Sequence, residues 1–165
     1  MEEKYLRSAV YSFSPVHDEN SRILILGTMP SVASRNAGFY YAHPRNRFWT
    51  ALANSFGQPV PQSVEEKTRL LLYNGVALWD VLAACEISGS DDSSIRKPVY
   101  NDIAALVSGK PIRKILCNGR KAHDLYSRYF NLPISVILMP STSPANAAWN
   151  TERLTAVWKC ELLSE

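Results

Sequence analysis

The 165-residue sequence is short of cysteine, has no long apolar run and carries only a small charge excess, and each shortage excludes something. Its three cysteines, Cys85, Cys117 and Cys160, are scattered without CxxC spacing. An odd, dispersed set supports neither a disulfide framework nor a zinc site. It also falls short of the four thiolates that an all-cysteine iron–sulfur cluster takes. No apolar run approaches the roughly 20 residues that a membrane-spanning helix requires. The opening Met1-Glu2-Glu3-Lys4 is acidic and leads into no apolar core of a secretory signal, so the expectation is a cytoplasmic protein, or a nuclear one in a nucleated cell. There is no Gly-x-Ser-x-Gly elbow and no GxxxxGK[ST] phosphate loop, which speaks against an α/β-hydrolase-like or P-loop enzyme acting on small molecules. Internal repeats, low-complexity stretches and linkers are missing as well. Residues 1–165 therefore read as a single domain, which at this length can bury a sufficient core.

The net charge of +3 permits a polyanionic partner without demanding one. Placement says more. Arg35, Arg45 and Arg47 crowd one segment, and Arg113, Lys114, Arg120 and Lys121 flank another, as a phosphate backbone would favour. On charge alone, a solvated face accounts for them equally well.

Short apolar runs alternate with longer amphipathic ones. Ile23–Leu26, Val76–Trp79, Ile112–Cys117 and Ile134–Met139 read as buried strands, ending at Gly27, Asp80, Asn118-Gly119 and Pro140. Helical spacing covers Asn46–Phe56, Ser63–Tyr73, Asn101–Val107, Arg120–Tyr129 and about Pro144–Leu163. Ser63 and Glu66 form a capping-box pattern. Strands separated by helices imply βαβ units, hence a three-layer α/β/α fold around a central four-stranded, mostly parallel sheet. Ligands of such sheets bind beyond the carboxyl ends of the strands. The chemistry is therefore expected just after Leu26, Trp79, Cys117 and Met139.

Each of these ends carries an unusual segment. After Leu26 come Gly27-Thr28-Met29-Pro30-Ser31 and then Phe39-Tyr40-Tyr41-Ala42-His43-Pro44-Arg45-Asn46-Arg47-Phe48-Trp49, a connection of about twenty residues rich in aromatics, Arg and Asn. βα loops are usually far shorter, and long ordered ones are usually functional. After Trp79 stands Asp80. After Cys117, Asn118-Gly119-Arg120-Lys121 could form an anion site at a helix start, or a plain Asn-Gly turn. After Met139, Pro140-Ser141-Thr142-Ser143-Pro144 combines small hydroxyls with rigid prolines, which approach phosphates closely.

In order and spacing these segments resemble the motifs of the uracil-DNA glycosylase superfamily. Gly27–Ser31 is similar to its Gly-x-Asn-Pro-Gly turn, and His43–Trp49 to its His-Pro-x-Asn-Arg-Phe-Trp segment. Met in the turn and Ser after the proline most resemble the hypoxanthine-DNA glycosylase branch, as does Gly89–Arg96, for which no mechanistic role is evident. The resemblance implies hydrolysis of the N-glycosidic bond of a deaminated base flipped out of DNA, with DNA as partner and with no metal or organic cofactor. A monomer is the default expectation.

The resemblance also implies roles. Relatives hold the attacking water with Asp or Asn where this chain has Met29, and that duty passes to Asn46. An amide positions water but cannot take its proton at neutral pH. A helix cap is the competing role for Asn46. Tyr41 takes the place of the aromatic that stacks on the base, with Tyr40 as fallback and core filling as the alternative for both. Thr28, Met29, Pro30 and Ser31 border the base, and the backbone N–H groups of this segment, which Pro30 lacks, are expected to support its departing charge. Asp80 is expected to face the Watson–Crick edge, where uracil-specific members use Asn; a cap or a salt bridge with an arginine is the alternative. His43, Arg45, Asn118, Arg120, Ser141, Thr142, Ser143 and Pro144 are expected at the DNA backbone. A mismatch-specific uracil or thymine glycosylase, or a non-catalytic DNA-binding relative, would share this fold. Met29 speaks against the first.

Overall fold

The computed structural model describes residues 8–164, so the acidic start read at Met1–Lys4 lies outside it. In chain order the elements are β1 (Ser8–Tyr11), β2 (Ile23–Gly27), α1 (Val32–Ala37), α2 (Phe48–Ser55), α3 (Val64–Tyr73), β3 (Val76–Asp80), β4 (Leu82–Ser88), β5 (Asp91–Tyr100), α4 (Ile103–Val107), β6 (Lys114–Asn118), α5 (Arg120–Tyr129), β7 (Ser135–Met139) and α6 (Thr151–Leu163).

Four strands form one sheet in the order β3-β2-β6-β7, and every pairing in it is parallel. The expected mostly parallel sheet is thus parallel throughout. Its apolar strands are buried on both faces. Leu24, Leu26, Ala77, Ile115 and Cys117 pack on one side with Ile103 of α4 and Ala122, Leu125 and Tyr126 of α5. Ile23, Ile25, Val76, Leu78 and Leu116 pack on the other with Phe48, Trp49 and Leu52 of α2, Leu70 and Leu71 of α3, and Leu154 and Trp158 of α6. A strand's period of two sends successive side chains to opposite faces, and two cores require an apolar residue at each.

A second sheet was not expected. β1, β4 and β5 form an antiparallel trio in the order β1-β4-β5, and Val10, Cys85, Ile87 and Ile95 from it close the α4–α5 side of the core. Gly89 (φ 58°) opens a two-residue turn between Ser88 and Asp91, the position at which a hairpin turn demands glycine.

Several boundaries shift for local reasons. Helix α2 begins at Phe48 because Asn46 Oδ1 accepts from Phe48 N–H (2.9 Å), ending the loop there. Helix α6 starts at Thr151 rather than near Pro144. The carbonyls of Thr142, Ser143, Asn146 and Trp149 all accept from the Arg47 guanidinium instead of turning into a helix. Asn150 then caps α6 by accepting from Arg153 N–H (2.8 Å). Ser63 accepts from Glu66 N–H as expected, but the Glu66 carboxylate reaches back to Gln62 N–H. The twenty-residue connection after β2 also contains α1, capped by Ser31.

Candidate active site

The carboxyl ends of β2, β3 and β6 and the loop after β7 surround a cavity of about 140 Å³. An engineered apolar cavity of about 150 Å³ holds benzene, so there is room here for a flat ring system. Thr28, Met29, Pro30, Ser31, Tyr41, Asn46, Asp80, Asn118, Ser141, Thr142 and Ser143 line it, together with Tyr40, Ser34 and Ile87, Ser90 and Asp92 of the β4–β5 hairpin. The sequence reading missed the hairpin contribution. Ser90 Oγ accepts from Val32 N–H (2.9 Å), and Arg35 donates to the carbonyls of Pro30 (2.7 Å) and Gly89 (3.1 Å). Helix α1 thereby latches the hairpin tip over the cavity.

Asp80 ends β3 directly opposite Gly27 of β2. The register leaves no room between them: a Cβ on Gly27 would stand 2.5 Å from Asp80 Oδ1 and 2.8 Å from the Tyr41 hydroxyl. Only glycine lets both polar groups converge there. Asp80 is 3% exposed, and among the described residues its buried Oδ2 has no hydrogen-bond partner. Burial, reinforced by the negative charge of Asp92, pushes its carboxyl up to about 7. The cap and salt bridge considered for Asp80 are both missing among the described residues.

Tyr41 has a left-handed backbone (φ 50°) and lays its ring on Phe48, with centroids 4.1 Å apart and planes 25° off parallel. Among the described residues its hydroxyl has the Asn118 side chain as a polar neighbour but makes no hydrogen bond of good geometry, and it is buried. Burial and the Asp80 carboxyl hold that phenol far above the ordinary tyrosine range. Tyr40 is core: its ring meets Phe13 and Phe39 edge-on, and its hydroxyl donates to the Ser14 carbonyl (2.8 Å). Met29 lies against the apolar core beside the cavity and offers no strong donor or acceptor. Ser31 Oγ accepts from Ser34 N–H, so its hydroxyl is occupied at the start of α1.

The opposite wall is tied together by hydrogen bonds. Asn46 Oδ1 accepts from Phe48 N–H and from the Thr142 hydroxyl (both 2.9 Å). Asn118 donates to Thr142 Oγ1 and accepts from Thr142 N–H (both 3.0 Å). Three expectations change here. Thr142 is completely buried with its hydroxyl engaged on both sides, so it is an internal brace and not a backbone contact. Asn118 is committed to Thr142 rather than to an anion. The helix-cap role weighed for Asn46 is not realised: Arg47 is the N-cap, and Asn46 Oδ1 makes an Asx-type bond to Phe48 N–H one residue ahead of it, while no protein acceptor among the described residues takes its amide N–H groups.

The basic clusters divide likewise. Arg47 clamps the loop between Thr142 and Trp149, Arg35 clamps the hairpin tip, and Lys114 Nζ is buried against Ser164 and Glu161 (3.4 Å to the carboxylate). These three are unavailable to a phosphate. Arg45, Pro144 and Arg120 are exposed. His43 stands outside the cavity, and its Nδ1 accepts from Arg45 N–H (3.0 Å). Arg120, Ser141, Ser143 and Trp149 line a wider groove of about 790 Å³ that continues outward from the cavity. Gly119 (φ 96°) is required where α5 meets that loop, since a Cβ would come within 3.2 Å of Ser141 Cβ. Among the described residues, no three His, Cys, Asp or Glu side chains gather as a metal site, and no helix is long and apolar enough to cross a membrane.

Known proteins carry the same plan. The model of the uracil DNA glycosylase superfamily matches residues 14–163. A hypoxanthine DNA glycosylase from Methanosarcina acetivorans is 35% identical over 143 residues, 86% of this chain and 90% of its own. One from Methanosarcina barkeri is 34% identical over 137 residues, 81% and 86% of the two chains. The solution NMR structure of a uracil-DNA-glycosylase candidate from Methanosarcina acetivorans superposes with a TM-score of 0.82 at 33% identity, covering 94% of this chain and 97% of the other. The chain belongs to the uracil-DNA glycosylase superfamily.

Proposed function

We propose that this protein is a DNA repair glycosylase that removes hypoxanthine, the base of deoxyinosine, from DNA. The observation carrying this reading is the cavity itself: room for a flat ring, a tyrosine slab along it, and two buried polar groups, Asp80 and the Tyr41 hydroxyl, left without protein partners. Buried polar groups are normally satisfied, so an unsatisfied pair facing one cavity signals a ligand. Relatives named as hypoxanthine DNA glycosylases give the reading its substrate.

A base in the duplex is out of reach, so it must be flipped out, which costs a few kcal/mol and less for a mispaired base. Tyr41 stacks on the flipped ring, a contact worth roughly 1–3 kcal/mol, and Asp80 meets its Watson–Crick edge. The N-glycosidic bond then breaks, leaving an oxocarbenium-like sugar and negative charge on the base. Asn46, with its oxygen already engaged, offers N–H to the attacking water and holds it in line. It acts by position rather than as a base. The exposed rim, with Ser141, Ser143, Pro144, Arg45, His43 and Arg120, receives the DNA backbone. The protein works as a monomeric single domain without a cofactor, in the cytoplasm or, in a nucleated cell, the nucleus.

The test uses duplexes carrying one inosine, one uracil, or one thymine opposite guanine, incubated with protein and treated with alkali. Strand scission at inosine above the other two is expected. Scission only at uracil or thymine gives the mismatch-specific reading, and binding without scission gives a non-catalytic DNA-binding protein.

A further inference from the structure

Asp80 occupies an unusual environment for an anion. Among the described residues no donor reaches either of its carboxylate oxygens, and Oδ2 is fully buried. No Lys, Arg or His among the described residues lines the cavity. The groups facing it are neutral or negative on every side. The segment after β2 brings Thr28, and the loop between α1 and α2 brings the phenols of Tyr40 and Tyr41. The hairpin tip brings the Asp92 carboxylate, whose own countercharge, Lys121, stands on α5. The end of β6 brings Asn118, with the Cys117 thiol behind it, and the loop after β7 brings Ser141, Thr142 and Ser143. Arg35, the nearest guanidinium on α1, is turned to the Pro30 and Gly89 carbonyls. A carboxylate here would be a buried, unpaired charge, which proteins avoid by protonating it.

The base edge argues the same way. Hypoxanthine presents a ring N1–H beside the O6 carbonyl. An ionised carboxylate accepts from N1–H but sets its second oxygen against the O6 lone pairs. A neutral carboxyl matches both positions. We propose that Asp80 binds the flipped base as a carboxylic acid, its carbonyl oxygen accepting from N1–H and its hydroxyl donating to O6. The proton stays on Asp80 or is shared along that hydrogen bond. As the glycosidic electron pair moves onto the base, O6 gains charge and the donated bond strengthens, so the acid stabilises the leaving group more than the ground state. Uracil offers the equivalent edge in N3–H and O4. This assignment rests on the glycosylase reading, which it deepens.

The sign of the pH effect follows. The acid is the active form, so the rate is lost as pH rises through the Asp80 pKa, which lies at about 7. Single-turnover excision from an inosine duplex, followed from pH 5.5 to 9, is expected to level off on the acid side and to fall by up to about tenfold per pH unit above the pKa. Asp80→Asn supplies the same acceptor and a weaker donor, and it does not titrate. It is expected to rescue part of the loss seen in Asp80→Ala, which by analogy with a deleted oxyanion donor is about 100-fold or more, and to run flat across pH 7. A wild-type rate that rises with pH through 7, or an Asp80→Asn variant no better than Asp80→Ala, overturns the proposal. ¹³C-carboxyl NMR of aspartate-labelled protein reads protonation without turnover. A resonance absent from Asp80→Asn that titrates near 7 supports the acid; an Asp80 signal ionised down to pH 5 overturns it whatever the activity. If the resonance titrates near 7 but no hypoxanthine is released, the substrate reading fails and the protonated carboxyl stands.

Discussion

The two walls of the cavity are built on opposite rules. On the β7 side, Asn46, Thr142 and Asn118 form a closed chain of hydrogen bonds, and Arg47 ties the loop beyond them to four carbonyls. On the β3 side, Asp80 and Tyr41 bring buried polar atoms to one point and leave them unbonded. A bonded wall holds its shape, and an unbonded wall is reserved for something that arrives. The contrast separates groups that position from groups that recognise.

The sharpest way to break this contrast is Asn46→Ala. Single-turnover excision should fall by about 100-fold, as for a nucleophile left out of position, while losing the bonds to Phe48 N–H and the buried Thr142 hydroxyl lowers stability by about 1–3 kcal/mol in a denaturant titration. A folded variant that still excises near the wild-type rate would make Asn46 a structural bond alone. Next comes Asp80→Asn. The folded-state pKa of Asp80 lies above its unfolded value, so folding stability should decline as pH rises from about 4 through 7 and level off above. The variant should lack that decline and exceed the wild type at pH 8 by up to a few kcal/mol, while matching it near pH 4. Equal stabilities at pH 8 would mean that Asp80 is comfortable as an anion.

On the bonded wall, Thr142→Val should lower stability by about 1–3 kcal/mol, because it leaves the buried Asn118 amide without its partner. Excision should fall with it as Asn46 loses its brace. The smallest effect belongs to Tyr41→Phe. Removing a hydroxyl that bonds to nothing should leave stability unchanged or raise it by about 1 kcal/mol in thermal unfolding. A loss of that size would show that the hydroxyl has a partner after all.

The bonded wall was also the harder one to read from sequence. Each parallel strand is a short apolar run ending at a turn, so its place and its carboxyl end were legible, while Tyr41, Asn46 and Asp80 were singled out by the resemblance to the glycosylase motifs. What a polar side chain bonds to is set by residues far along the chain. Thr142 reaches Asn46 across 96 positions and Asn118 across 24, and nothing local distinguishes a brace from a phosphate contact. Arg35, Arg47 and Lys114 read as surface charge for the same reason. The antiparallel sheet escaped because register shifts along β4–β5 break its alternation, and because Pro98 lies in β5, an edge strand, where proline is tolerated. Gly89-Ser90 after Ile87-Ser88 was a usable turn signal, and with it the Ser90 and Asp92 side of the cavity could have been found.

The left-handed backbone at Tyr41 has a consequence for how DNA is met. Its unfavourable dihedral, of order 1–3 kcal/mol for a non-glycine residue, is absorbed when the chain folds, and the ring lies flat against Phe48. On the proposed reading, an incoming nucleobase stacks on a ring already braced from behind, so little freedom remains to be frozen at that encounter.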